Sequence, residues 1–348
     1  MERRRLGRTG LSVGIVGFGG LVAAGRPQQE VDELVGRALD AGVTYFDTAH
    51  SYGDSQEKLG VALQRVPASP MRAHGQVALG AKLIYRGAEE AAREVDASLR
   101  RLRTDYIDVY HLHAVDTPEE WKQVSAEDGA LAALEHARRA GKVGFLGITG
   151  HMPTVLVLAL KSGRLDTVMT MTNYIDRFVY GTEVALHPLA RERDAGVLVL
   201  KPTAHNSIAD RESAYRYVFS QDVDCVLPPR HKEEFLLALR AAERFQPLSP
   251  EEERDLLLRA PELTGRCRQC GFCLPCPEGL DVPFLLRLAG WFTRFGQTRE
   301  IARRTYRELP VQADRCTDCR VCEERCPYDV PIIEDLKQAH LALASATR

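Results

Sequence analysis

Eight of the nine cysteines in this chain fall in two short runs with nearly the same spacing. The first run is Cys267, Cys270, Cys273 and Cys276, followed by Pro277; the second is Cys316, Cys319, Cys322 and Cys326, followed by Pro327. Three thiolates separated by two residues each let a short loop wrap one iron–sulfur cube. A fourth thiolate followed by proline leaves the loop in another direction. The chemistry supported is the passage of single electrons through two [4Fe–4S] clusters. Two four-cysteine zinc sites are the alternative, but zinc sites pair two C-x2-C knuckles across a longer gap. A disulfide framework fits less well, because no secretory leader is expected and only Cys225 lies outside the runs.

A second set of residues lies far upstream. Asp47, Lys82 and His113 each stand at or just past the end of an apolar run. Tyr52 follows Asp47 in the loop Thr48-Ala49-His50-Ser51-Tyr52-Gly53. On adjacent strands of a barrel, those ends present a carboxylate, an ammonium and an imidazole around one phenol. A free phenol titrates near 10, too high for ready proton transfer at neutral pH. The ammonium is expected to favour phenolate and lower that value, and the carboxylate to keep the ammonium charged. An imidazole beside the phenol can hydrogen-bond a carbonyl oxygen and orient it. Together these groups support protonation of a carbonyl oxygen as hydride reaches its carbon, or the reverse. His50 and His111 read as satisfied polar groups without a direct role.

The elements that must position these residues are legible as alternation. Short β-branched runs at 15–18, 44–47, 77–82, 106–112, 144–148, 167–171, 197–200 and 225–227 alternate with longer amphipathic stretches such as 89–102, 130–140 and 232–244. Glycine in Ala41-Gly42-Val43, Ala140-Gly141-Lys142 and Ala195-Gly196-Val197 is expected to supply the left-handed cap that turns each helix into the next strand. The fold class is therefore α/β: a (β/α)8 TIM barrel over residues 1–248 with a C-terminal α-helical ferredoxin-like domain over 249–348. A doubly wound sheet is the rival, but no G-x-G-x-x-G follows the first strand. Pro247-Leu248-Ser249-Pro250 reads as the linker, and 251–258, 284–295 and 299–308 carry helical periodicity. No internal repeat is read beyond the paired cysteine runs. Arg299, Arg303 and Arg307 share one helical face, with Arg294 and Arg304 close by. That face either neutralises the anionic clusters or docks an acidic electron carrier. Cys225 reads as a small buried residue, and Trp291 and Phe292 as helix core.

The 348 residues suffice for one large domain and a small one, and 45% hydrophobic with 27% charged residues permits a sizeable core. A formal net charge of −2 argues against a general nucleic-acid or membrane-surface binder. No apolar run approaches the roughly 18–20 residues of a membrane span. A cytoplasmic protein with reduced thiols is expected.

Residues 1 to about 245 resemble an aldo-keto reductase. The matching strings are Phe46-Asp47-Thr48-Ala49 with Tyr52-Gly53, the strand ending in Lys82, and Asp105-Tyr106-Ile107-Asp108-Val109-Tyr110-His111-Leu112-His113. Leu6-Gly7-Arg8-Thr9-Gly10-Leu11 resembles that family's N-terminal hairpin, which closes the barrel bottom. The whole chain resembles the branch with a C-terminal ferredoxin-type domain. The resemblance implies Asp47, Tyr52, Lys82 and His113 as the catalytic tetrad acting on a small carbonyl/alcohol substrate. It also implies NADP(H) or NAD(H), held near Thr149, Asn173 and Lys201. Where the family has Ser-Asn, this chain has Thr149-Gly150, and Met169 stands where it has Gln. Arg230 could pair the ribose phosphate of NADP(H). By ferredoxin analogy, the last cysteine of each run serves the other run's cluster. A nicotinamide passes two electrons together and a cluster passes one, so coupling them calls for a converter such as FMN in the barrel's phosphate site. Three readings follow: a reductase linked through its clusters to an electron-carrier protein, a self-contained carbonyl reductase with structural or sensing clusters, and an electron-transfer or regulatory subunit with little turnover.

Overall fold

The chain begins with an antiparallel hairpin, β1 (Arg3–Arg5) paired with β2 (Ser12–Gly14). Eight strands follow: β3 (Phe18–Gly19), β4 (Tyr45–Asp47), β5 (Ala78–Leu83), β6 (Ile107–Leu112), β7 (Val143–Thr149), β8 (Thr167–Met171), β9 (Gly196–Leu200) and β10 (Cys225–Val226). They form one sheet in chain order, each parallel to the next. A parallel bridge between Val16 and Val226 joins the two ends and closes the barrel. The computed structural model describes residues 1–65, 77–204, 208–229, 231–259, 265, 267–268, 270–294 and 299–345. It divides into two compact units, Met1–Asp255 and Leu256–Arg348.

The intervening helices form because each carries one apolar stripe. In helix Ala88–Leu102 the buried residues are Ala91, Glu94, Val95, Ser98, Leu99 and Leu102, at three- and four-residue steps. Glu89 and Glu90 open that helix and Arg100 and Arg101 close it, matching its dipole. Carboxylates at the barrel's N-terminal end tie neighbouring strands: Asp166 Oδ2 accepts from Leu146 N at 2.9 Å and Asp224 Oδ2 from Val197 N at 2.7 Å.

Seven of the expected strands match observed ones to within two residues at each end. The first is shorter than expected. Residues 15–17 pair with Val226 on one side and, through Ile15 N, with Glu2 O at 3.0 Å, and Gly17 lies so close to Leu227 and Cys225 that a Cβ there would meet them at 2.8 and 2.9 Å. The glycine-cap expectation holds for Gly42 and Gly141, both at positive φ. It fails at Ala195-Gly196-Val197, where Asp194 takes the left-handed turn at φ 50°. Gly196 is small for another reason: a Cβ there would lie 2.6 Å from Leu6 Cδ1.

That contact explains the hairpin. Leu6 and Val13 are fully buried and pack among Tyr45, Val109, Met169, Leu198 and Cys225 inside the barrel. Arg8 Nε donates to Asp166 Oδ1 at 2.7 Å and Arg5 Nη2 to Asp194 Oδ1 at 2.6 Å, seating the hairpin where strands begin. Cys225 is buried in this cluster, as expected of a small apolar side chain.

The second unit is helical. Helices Val282–Arg294, Arg299–Arg307 and Ile332–Ala344 surround a core of Leu280, Val282, Leu285, Leu288, Ala302, Tyr306, Val330, Ile332 and Leu336, with Cys273 and Cys322 on it. The internal repeat extends beyond the cysteines, correcting the sequence reading. Gly271 and Arg320, each just after the second cysteine of its run, both have positive φ, and so do Gly279 and Asp329, each three residues past the fourth. Leu280 and Val282 correspond to Val330 and Ile332, and a helix of 13 residues follows each time. The signal was faint in the sequence because only one member of each positive-φ pair is glycine.

Among the described residues no helix is long and apolar enough to cross a membrane. Truncating the plug residue, Leu6→Ala, should leave a cavity and cost about 2–5 kcal/mol of barrel stability. Urea unfolding followed by far-UV dichroism should show a lower midpoint, whereas an unchanged midpoint would remove the hairpin from the core.

Candidate functional site

Interior-facing positions alternate along each strand, so β4 offers Tyr45 and Asp47, β5 Gly80 and Lys82, and β6 Val109 and His111, with His113 just beyond. Register sets Asp47 opposite Gly80 and Lys82 opposite His111. Lys82 Nζ donates to Asp47 Oδ2, with side chains 1% and 3% exposed. Burial makes each charge costly, raising the Asp47 carboxyl pKa and lowering that of the Lys82 ammonium, and each partner opposes the other's shift.

Tyr52 is carried over this pair by the loop after β4. Gly53 at φ 58° makes the turn possible, and Ser55 Oγ ties the loop's far side to Gly20 O at 2.7 Å and to Thr48 Oγ1 at 2.9 Å. Lys82 Nζ lies 5.2 Å from the Tyr52 ring centroid, and the His113 ring meets the Tyr52 ring edge-on at 5.8 Å. The four residues singled out from the sequence are thus brought together. The expected lowering of the phenol pKa is not found: burial first, then the Asp47 charge, raises Tyr52 above the ordinary phenol value. The ammonium that was expected to draw it down is already paired with Asp47. Tyr52 is therefore held as the neutral phenol, a proton donor.

His113 is likewise held neutral. Burial first, then Lys82, His151, His50 and Arg86, push its pKa well below the usual imidazole value. Its Nδ1 is buried without a partner. A bare acceptor is less costly to bury than an orphaned N–H, so the geometry assigns the proton to Nε2. Arg86 fixes this segment by donating to His113 O at 2.9 Å and Ala114 O at 2.7 Å, and to Glu120 Oε1 at 2.9 Å. The sequence reading missed Arg86, since one arginine past a strand end carries no pattern. His111 pairs Thr167 Oγ1 through Nε2 at 3.1 Å, and burial lowers its pKa to about 3. His50 Nδ1 contacts Lys82 O at 3.2 Å, and its ring stacks on Tyr85.

The residues expected at a nicotinamide divide. Thr149 ends β7 buried, and its hydroxyl accepts from Ala114 N at 3.0 Å, which leaves its own proton to donate. Lys201 follows β9 at φ 53°. Asn173 holds a turn, its Nδ2 donating to Asp176 Oδ2 at 2.7 Å and its Oδ1 accepting from Asp176 N at 2.9 Å. Met169 packs in the barrel core. Arg230 lies outside the described residues.

In the second unit one cavity is lined by Cys276 together with Cys316, Cys319 and Cys322. This brings the fourth cysteine of the first run to the first three of the second. Cys273 has Cys267 and Cys270 as neighbours, and burial followed by those thiols pushes it up to about 12. Iron-bound cysteine is deprotonated, so that value belongs to the free thiol alone. The loops are tied by Thr317 Oγ1 donating to Glu278 Oε1 at 3.3 Å and Arg325 Nη1 to Pro275 O at 3.0 Å. The donor set suits two cubes. In the arginine stripe, Arg303 lies over the Phe292 ring at 4.7 Å and reaches Ala342 O, joining three helices, while Arg307 pairs Glu300 of its own helix. Phe292 is partly buried core as expected. The side chains of Trp291 and Arg294 lie outside the described residues.

Comparison with known proteins agrees with both halves. A family model described as "Aldo/keto reductase family" matches residues 11–248, and one described as "4Fe-4S dicluster domain" matches residues 266–331. The chain is 29% identical over 223 residues to L-galactose dehydrogenase of Arabidopsis thaliana, covering 61% of this chain and 68% of that protein. It is 25% identical over 225 residues to the NADH-specific methylglyoxal reductase of Escherichia coli, covering 58% and 67%. Among solved structures, the holo form of an aldo-keto reductase from Bacillus halodurans superposes with a TM-score of 0.61 at 23% identity, covering 75% of this chain and 96% of that one.

The cavity makes a prediction about ligand pairing. Iron content and EPR of the reconstituted variants should show that Cys276→Ala combined with Cys316→Ala loses no more iron than Cys316→Ala alone. Cys276→Ala combined with Cys267→Ala should lose both clusters. Iron loss that follows the sequence runs instead would refute the exchange.

Proposed function

The chain belongs to the aldo/keto reductase family and carries a 4Fe-4S dicluster domain, and from that premise we propose that its barrel interconverts a small carbonyl and its alcohol using a nicotinamide. It is an oxidoreductase of the aldo-keto-reductase type. The observation supporting the finer reading is a phenol and an imidazole meeting edge-on beside a buried ammonium–carboxylate pair.

In this reading Tyr52 Oη–H donates its proton to the carbonyl oxygen, and His113 Nε2–H hydrogen-bonds the same oxygen and orients it. The Lys82 ammonium stabilises the phenolate that proton transfer leaves on Tyr52, and Asp47 keeps Lys82 charged while it does so. Water then restores the Tyr52 proton; oxidation of an alcohol reverses each transfer. A bound nicotinamide supplies or accepts the hydride at the carbonyl carbon. We assign its carboxamide to Thr149 and its pyrophosphate to the Lys201 segment. Arg230 is kept for the ribose phosphate of NADP(H) on charge alone.

We place the functional boundary at 248/249 and assign all eight run cysteines to two [4Fe–4S] clusters serving an electron-carrier protein. A two-to-one converter such as FMN, held by the loops after β9 and β10, is the class of group that would join these electrons to the barrel's hydride chemistry. We keep the cytoplasm as its compartment, because cluster assembly calls for reduced thiols.

Tyr52→Phe removes one oxygen and should lower the rate of carbonyl reduction at least about a hundredfold, within the usual range for general acid catalysis. Fluorescence quenching by NADPH should show the cofactor still bound, and near-normal turnover would discard the assignment. The raised pKa of Tyr52 sets the pH behaviour as well. The proton donor persists as pH rises, so wild-type reduction should lack an alkaline limb below the ordinary phenol value of about 10. A limb near 8 would mean that the phenol pKa is lowered after all.

A further inference from the structure

Two buried polar atoms on β4 have no hydrogen-bond partner, Tyr45 Oη and Asp47 Oδ1. Tyr45 is fully buried within the barrel and packs in its hydrophobic core. Both atoms lie against Gly80, and there is space for them because position 80 is glycine. A Cβ there would lie 2.2 Å from Tyr45 Oη and 3.1 Å from Asp47 Oδ1, so one missing methyl leaves room for both atoms. Register sets Gly80 directly across from Asp47 and two residues before Lys82 on the same strand. Leaving both a phenol donor and a carboxylate acceptor unpaired in an apolar interior is costly, and each is the other's natural complement.

We propose that Tyr45 is a positioning residue for the site, its Oη–H directed at Asp47 Oδ1 so that the carboxylate is held charged and aimed at Lys82. The inference rests on the reading of Asp47 and Lys82 given above. Asp47 then has both oxygens used: Oδ2 by Lys82 and Oδ1 by Tyr45. A hydrogen bond donated to the ionised form lowers a carboxyl pKa, opposing the burial that raises it. The phenol is suited to this, since burial and the charges of Asp47, then Cys225 and Asp108, raise its own pKa well above the ordinary value and keep its proton in place. The titratable groups around the pair are Lys82 from β5, Tyr52 from the loop, His111 from β6 with His113 just beyond it, Cys225 from β10 and, acting from further off, Asp108 of β6. Among the described residues, Lys82 is the cation acting on the Asp47 carboxylate. The same geometry accounts for Gly80, which no turn or positive φ requires.

The test uses the full-length, cluster-loaded protein and Tyr45→Phe, which keeps the ring and removes only the hydroxyl. The Lys82 ammonium is followed against pH by 15Nζ NMR, assigned with Lys82→Met, so the readout does not depend on turnover. Reduction of 4-nitrobenzaldehyde by NADPH is measured over the same range. The titration of the pair should move up by about one pH unit, a tenfold change in the ionisation constant. The acid limb of kcat should move the same way, with kcat about tenfold lower and KM unchanged. Gly80→Ala, which puts a methyl group against both atoms, should reproduce the shift. NMR titrations of wild type and Tyr45→Phe that superimpose would overturn the proposal even if turnover is normal. Absence of turnover in the wild type with a shifted titration would sink the carbonyl-reductase reading while leaving the Tyr45–Asp47 contact standing.

Discussion

The buried ion pair of Lys82 and Asp47 is the constraint around which the barrel is arranged. Two charges removed from water are tolerated only while each has the other; removing one partner from such a pair typically costs about 3–5 kcal/mol because the survivor stays buried. The pair forms because β4 and β5 are parallel neighbours in a register that sets both side chains into the interior near the strand ends. The closed sheet fixes that register, and the hairpin plug completes the closed end. Tyr52 and His113 are then held in their uncharged forms by burial around the pair, which suits donation of protons to an oxygen that is gaining charge.

The second unit obeys a different constraint, eight thiols with little chain between them. Its small core is built from the two halves of one repeat, in which a cysteine loop, a left-handed residue, two apolar anchors and a helix recur. Cys276 lines one cavity with Cys316, Cys319 and Cys322, so the first loop reaches the thiols of the second. The barrel and the cysteine-rich unit thus share one chain but rest on separate physical solutions: a dry, preorganised polar group in the barrel, and soft ligands on short loops elsewhere.

Much of this was legible in residue order. β-Branched runs marked the strands because a parallel barrel buries both faces, and the catalytic candidates followed from reading what stands at strand ends. Cysteine spacing marked the clusters because ligand geometry leaves few options. What was not legible depended on burial or on a partner distant in sequence. The Tyr52 pKa was read in the wrong direction because neighbours can be guessed from sequence whereas desolvation cannot. Gly196 looked like a cap until Leu6 was found against it. The arginine stripe was periodic, as read, but its partners are a ring and a helix end on other segments.

The most direct test of the account is to follow the hydride. Carbonyl reduction with NADPH deuterated at C4 of the dihydronicotinamide, one face at a time, should give an alcohol bearing deuterium on the former carbonyl carbon from one face only. Product that carries no deuterium from either face, or clusters that drain the nicotinamide while the carbonyl is left untouched, would contradict it.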